Sequence, residues 1–288
     1  MRSYKGLLLL AFGLAMAAPA QAVCDVGPES AAANSASIAS LAWAPFRRAE
    51  TGWYVYAPRI AHEIGSSCAF GSRGFAAALA RWQAARQLPS HGRVDVLTMS
   101  AMIGGWHAQR PYVRLRASGS CPAAPELSAL APATISEGYG GKLVLLRPAA
   151  LASYRQMRAA AWRDVPVLAS DKRWLSIFSA FRAPVDDAAR CAIEQNCQGV
   201  VRANCSVHRT GLAIDLYVGQ ARGLPPESSA DSNRIAMSRT PAYRWLVQNA
   251  ARFGFVNYAF EPWHWEWTGE APLPDSDPSP GEMVPDAE

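Results

Sequence analysis

Apolar residues recur at helical spacing in the first half of the chain, and in the second half they gather into short runs broken by turn residues. Over residues 74–88, Phe75, Leu79, Trp82 and Arg86 keep helical spacing with the apolar members on one face, which predicts an amphipathic helix. Leu88-Pro89-Ser90-His91-Gly92 then reads as a turn, and Asp95 is placed to cap a second short helix carrying Met99, Met102 and Ile103. Farther on, Pro148 suits the first turn of a helix whose inward stripe is Leu151, Tyr154, Met157 and Ala161. Residues 174–178 and 212–218 read as strands. Thr240-Pro241 opens a helix that carries Trp245, Leu246 and Ala250 and stops at Gly254, and residues 255–258 and 263–267 close the pattern as aromatic-rich strands. No Gly-rich phosphate turn follows any strand. The predicted class is therefore α+β, a small antiparallel sheet flanked by helices and preceded by a small helical module.

The punctuation divides the chain further. Residues 23–43 are rich in Ala and Ser and are expected as a flexible lead-in, 44–110 as the helical module, and 111–139 as a linker containing Cys121-Pro122 and Pro125. Residues 140–268 form the second domain, and within it the polar stretch 219–239, with Pro225-Pro226, is expected as a lid or an insertion. In the module, Phe75, Ala78-Leu79, Trp82-Gln83, Leu88, Gly92, Val94-Asp95, Thr98 and Met102 together resemble the peptidoglycan-binding helical domain found beside many wall hydrolases. That resemblance covers about residues 60–107; the alternative is an all-helical packing element of one larger domain.

Composition narrows the setting. Half of the 288 residues are apolar and only 18 % are charged, which suits a packed core and excludes a disordered regulator. The longest uncharged apolar run, residues 6–18, falls short of the roughly 20 residues a spanning helix needs. Arg2 and Lys5, then Leu7 to Leu10, then Ala20-Gln21-Ala22 present a basic, an apolar and a cleavable segment in order, so residues 1–22 read as a secretory signal. The six cysteines, Cys24, Cys68, Cys121, Cys191, Cys197 and Cys205, all lie beyond it and include no C-x-x-C pair. Three disulfides are expected, with the pairing left open. The net charge of +5 conceals unlike parts: the leader holds two basic residues, residues 269–288 hold six acidic and no basic ones, and the body between carries 26 basic against 17 acidic. The tail reads as disordered, and the basic body suits an anionic polymer such as a bacterial wall.

Two polar motifs interrupt the apolar pattern. In Ser206-Val-His208-Arg-Thr-Gly211-Leu-Ala213-Ile-Asp215, the carboxylate of Asp215 alternates with Leu212, Ile214 and Leu216, a placement that costs several kcal/mol without a cationic partner. In Glu261-Pro-Trp-His264-Trp-Glu266-Trp, ionisable groups sit among three tryptophans. His208, Asp215 and His264 offer two imidazoles and one carboxylate, a set that leaves a tetrahedral zinc ion one open position, and Glu261 is spaced to act as general base. Trp263, Trp265 and Trp267 are expected mainly as sheet packing. His62, His91 and His107 fall in no such cluster.

Ser206-x-His208-x-x-Gly211-x-Ala213-x-Asp215 followed by Glu261-x-x-His264 resembles the signature of the zinc D-alanyl-D-alanine carboxypeptidases of the VanY and VanX type. The likeness extends to Phe178-Ser-Ala-Phe-Arg182, to Phe253-Gly-Phe255 and to Tyr258. It implies His208, Asp215 and His264 as ligands of one zinc ion, Glu261 as base and Arg182 as the cation facing the oxyanion, where a fixed guanidinium favours the transition state. Ser206, Glu266 and Tyr258 are implied as residues touching substrate or supporting the ligands. Ala180 and Phe181 replace the usual Gly and Tyr, and Glu266 stands where relatives often carry a basic residue. As a neighbour of His264 on one strand face, Glu266 is placed to accept that imidazole's other N–H, and it rivals Glu261 as base. The resemblance implies a monomeric, exported peptidase acting on peptidoglycan peptides, without nucleic-acid or membrane-spanning partners. Endopeptidase action on the same polymer, or a catalytically silent wall-binding protein, are the alternatives, and Arg209 or Arg202 is the expected anchor of a substrate carboxylate. A Ser-x-x-Lys peptidase is excluded, because the residues three before Lys5, Lys142 and Lys172 are Arg2, Tyr139 and Ala169.

Overall fold

The computed structural model describes residues 24–25, 27–45, 48–117, 121–195, 197 and 205–270. The signal-like segment, Arg202 and nearly all of the acidic tail lie outside them. The N-terminal part contains α1 (Ala31–Ser37), a two-residue hairpin of β1 (Ala42–Trp43) and β2 (Glu50–Thr51), α2 (Ala57–Glu63), α3 (Arg73–Ala84) and α4 (Val96–Ala108). Ser72 caps α3 by accepting from the Phe75 amide, and Asp95 caps α4 by accepting from the Thr98 amide. Between these helices Gly92 has φ +68°, and an added Cβ would lie 2.4 Å from the Ala76 carbonyl oxygen, so only glycine fits the turn. Trp53, Ile60, Phe75, Leu79, Met99 and Met102 form this part's core.

The stretch expected as a flexible lead-in is folded instead. Asn34 of α1 is fully buried and bonds both sides of the Gly92 turn, and Cys24 is joined to Cys68. The expected linker is likewise ordered over much of its length: α5 (Pro111–Ala117) follows α4 directly, Cys121 is joined to Cys205, and β3 (Ala131–Pro132) pairs with β4 (Leu145–Leu146). These are long-range ties that proline content along the chain does not reveal. The third disulfide joins Cys191 to Cys197.

Beyond β4 come α6 (Pro148–Asp164), β5 (Ile177–Ser179), α7 (Pro184–Glu194), β6 (Ala213–Leu216), α8 (Asp231–Ser238), α9 (Pro241–Asn249), β7 (Phe255–Asn257) and β8 (His264–Trp267). The strands form one antiparallel sheet in the order β5-β6-β8-β7. The fold is thus α+β, as the pattern predicted. Leu151, Tyr154, Met157 and Ala161 of α6 pack with Ile214, Leu216, Trp263 and Trp265, so these two tryptophans are core, with Trp267 against them. Several expected extents shorten, among them the strand at 212–218, which covers Ala213–Leu216, and the helix at 74–88, which ends at Ala84. The strand near residue 174 begins only at Ile177, because Leu175 takes φ +63°, and α9 gives way to a 3-10 turn, Ala250–Phe253, before Gly254. The 219–239 stretch is pinned by the fully buried Asn233, whose amide bonds Ala221, Pro225 and Ser228, and it ends in α8.

The two parts are packed together. Arg234 of α8, 1 % exposed, reaches Glu50 at 2.9 Å and the Tyr56 hydroxyl at 3.0 Å. Arg59 of α2 donates to the Asn257 carbonyl and side chain, and Ala259 belongs to the N-terminal core. Among the described residues no helix is long and apolar enough to cross a membrane.

Candidate metal centre

β6 is buried along its whole length, and its register with β8 sets Asp215 directly opposite His264. Side chains facing across an antiparallel pair are neighbours on one face. His208 arrives from a 3-10 turn, Val207–Thr210, just before β6. Ser206 caps that turn by accepting from the His208 amide at 3.2 Å. Gly211 ends it with φ +70°, where a Cβ would meet the Leu130 side chain at 2.7 Å. The turn delivers the second imidazole to the same carboxylate: His208 Nε2 lies 3.2 Å from Asp215 Oδ2, and His264 Nδ1 lies 2.9 Å from Asp215 Oδ1. One ligand atom from each of the three buried residues falls within 4.8 Å of the others.

The remaining imidazole nitrogens are tied elsewhere. His208 Nδ1 is 2.8 Å from the Ala180 carbonyl oxygen and His264 Nε2 is 3.2 Å from Glu266 Oε1. Both partners can only accept, so both nitrogens carry protons, and in the neutral rings the two inward nitrogens are lone-pair donors aimed at a carboxylate. Such a set is resolved by a cation, either protons on the rings or a metal ion. The donor types and convergence therefore fit a divalent metal. Burial alone would lower the His264 pKa, but Asp215 and Glu266 outweigh it and raise the pKa to about 9. The two imidazoles hold Asp215 far below the usual carboxylate range against the effect of its burial.

Glu261 sits in the tight turn between β7 and β8, with its amide bonded to Tyr258 and its carbonyl accepting from His264. Its half-buried carboxyl makes no hydrogen bond or ion pair among the described residues, and desolvation raises its pKa. A base with a raised pKa beside a metal ligand set is suited to take a proton near neutral pH. Tyr258 presents its ring edge to His264, with centroids 6.2 Å apart.

Arg182 is held by Asp187 of α7 at 3.1 Å and by the Ser179 hydroxyl at 3.3 Å, and its amide bonds the His208 carbonyl. Asp187 is fully buried and serves a second guanidinium, Arg209, at 3.4 Å. Arg209 is 1 % exposed, so it is a buried partner of Asp187 rather than the expected anchor for a substrate carboxylate. Ser206 caps the His208 turn and does not touch the imidazole. Glu266 receives Arg110 as well as His264, and this pairing holds its pKa at about 2 although burial acts in the opposite direction. Sequence reasoning missed Asp187 and Arg110. The rule applied to Asp215, that a carboxylate inside an apolar strand needs a cation, applies equally to Glu266 and would have called for an arginine.

Residues 144–270 match the family model of VanY, D-alanyl-D-alanine carboxypeptidase. No curated protein matches the chain.

Proposed function

We propose, on the match of residues 144–270 to the VanY family model, that the chain is an exported zinc peptidase that removes the terminal D-alanine from peptidoglycan stem peptides. The supporting observation is the convergence of His208, Asp215 and His264, with each imidazole's other nitrogen already engaged. These three residues would hold the zinc ion, which when bound supplies a Lewis acid and a more acidic attacking water. Glu261 takes the proton from that water and delivers it to the leaving amine. Arg182, steadied by Asp187 and Ser179, offers a fixed positive charge to the oxyanion that develops on the scissile carbonyl. The leader and the disulfides support export, and the basic body supports an anionic wall as partner. The N-terminal module keeps the monomeric enzyme on that polymer and raises the local substrate concentration.

The test is incubation of the purified zinc protein with defined muropeptides and weighing of the products. Free D-alanine is expected; a larger released peptide reassigns the chain to endopeptidase action. Glu261→Gln should retain zinc and lose hydrolysis, whereas substantial residual turnover removes Glu261 from the base role. Binding of intact muropeptide without cleavage in the presence of zinc would overturn the enzymatic reading in favour of a wall-binding protein.

A further inference from the structure

Arg110 lies in the turn between α4 and α5, 156 residues before Glu266, and it is 6 % exposed. Its Nε donates to Glu266 Oε1 at 2.9 Å and its Nη2 donates to the same oxygen. That oxygen also faces His264 Nε2 at 3.2 Å. The guanidinium further covers the Tyr258 ring at 4.3 Å, and Tyr258 in turn meets His264. A second strap secures the same turn: the Tyr112 hydroxyl donates to the Cys205 carbonyl, and Cys205, bridged to Cys121, lies three residues before His208. Residues from the N-terminal side thus touch both segments that carry the imidazoles.

We infer that Arg110 is a positioning residue for the metal centre, acting through Glu266 on His264, so that the N-terminal module is a structural part of the site. The inference rests on the zinc reading given above. A carboxylate buried at 2 % exposure needs a permanent cation to stay ionised, and only the ionised form accepts from the ring N–H with either oxygen. The two guanidinium N–H groups converge on Oε1 and hold in place the one oxygen that faces His264, that oxygen fixes which imidazole nitrogen carries the proton, and the opposite nitrogen is left aimed toward Asp215. Asp215 and His208 complete the ligand set, so an error in the His264 ring angle is felt directly as lost metal affinity.

The experiment measures zinc affinity by chelator competition and the visible spectrum of the cobalt-substituted protein. It uses the full chain, Arg110→Gln, Arg110→Lys, Glu266→Gln, the Arg110→Gln/Glu266→Gln double variant and, as an interface control, Glu50→Gln. Arg110→Gln and Glu266→Gln are each expected to weaken zinc binding roughly ten- to hundredfold and to shift the cobalt spectrum. The double variant should be no weaker than the worse single one, because both act along one path. Arg110→Lys should recover part of the affinity, and it decides the matter if Arg110→Gln does not fold. Glu50→Gln removes a buried contact between the same two parts at Arg234 and should leave affinity and spectrum unchanged. Zinc affinity within twofold of the parent and an unchanged spectrum in the Arg110 variants would overturn the positioning role, even with a lowered melting temperature. A parent protein that binds neither zinc nor cobalt would instead sink the zinc reading, and this inference with it.

Discussion

Asn34 and Gln83 in the N-terminal part, and His208, Asp215 and His264 in the sheet domain, are all buried polar groups, yet they solve burial differently. Asn34 donates to the Gly92 carbonyl and accepts from the Val94 amide. Gln83 donates to the Arg93 carbonyl and the Thr98 hydroxyl and accepts from the Gly92 amide. Each amide nitrogen and oxygen there meets a partner, so the network is closed and holds a turn. In the sheet domain the outward imidazole nitrogens are satisfied by Ala180 and Glu266, and the inward ones face a carboxylate that they meet only through a cation, a ring proton or a metal ion. A closed network indicates architecture; an excess of acceptors around one point indicates a place for a cation.

That contrast can be broken experimentally. Asp215→Ala should abolish zinc binding and bring peptidase activity to the assay background while the N-terminal core stays folded; retained stoichiometric zinc would mean that other residues hold it. Phe75→Ala in the fully buried module core should cost about 3–5 kcal/mol in denaturant unfolding and leave the zinc affinity of the folded protein unchanged. Zinc at a thousandfold its dissociation constant should stabilise the protein by about 4 kcal/mol, and a chelator should remove this gain, which thermal unfolding would record. Gln83→Met should leave the Gly92 amide unsatisfied, cost about 1–3 kcal/mol, and show no response to added metal beyond that of the parent.

The smallest effect concerns a closed pair inside the sheet domain. Arg155 and the Thr134 backbone amide hold the Glu137 pKa at about 2, below its ordinary 4.5. A carboxylate with a lowered folded-state pKa contributes stability that is complete above the ordinary value and is lost as pH falls toward 2. The partner Arg155 is about half exposed, so the contribution should be no more than about 1 kcal/mol. Unfolding measured from pH 6 to 2 should therefore fall slightly more steeply for the parent than for Glu137→Gln; equal slopes would remove the pair's role.

Local signals were legible where one residue acts on its near neighbours. Asp95 before an apolar run, Thr240-Pro241 and the glycines at 92 and 254 all carry turn or cap chemistry within a few positions. The α6 stripe reads from its period alone. Leu175 illustrates the opposite case. It belongs to an apolar run that reads as strand, and a left-handed backbone at that position delays the strand, which side-chain pattern does not encode.

By itself the sequence determined the ligand-type residues and the strand alternation that sets Asp215 apart from its apolar neighbours, because side-chain period and donor chemistry are properties of short segments. It also determined that six cysteines would be available to pair. Only the tertiary structure decided which cysteines pair, that the Ala/Ser-rich stretch packs through Asn34, that Asp187 answers Arg182 and Arg209, and that Arg110 answers Glu266. These are partners separated by up to 156 residues. A buried charge announces in the sequence that it needs an opposite one, while the choice among 28 lysines and arginines is made only when folding brings one of them within bonding distance.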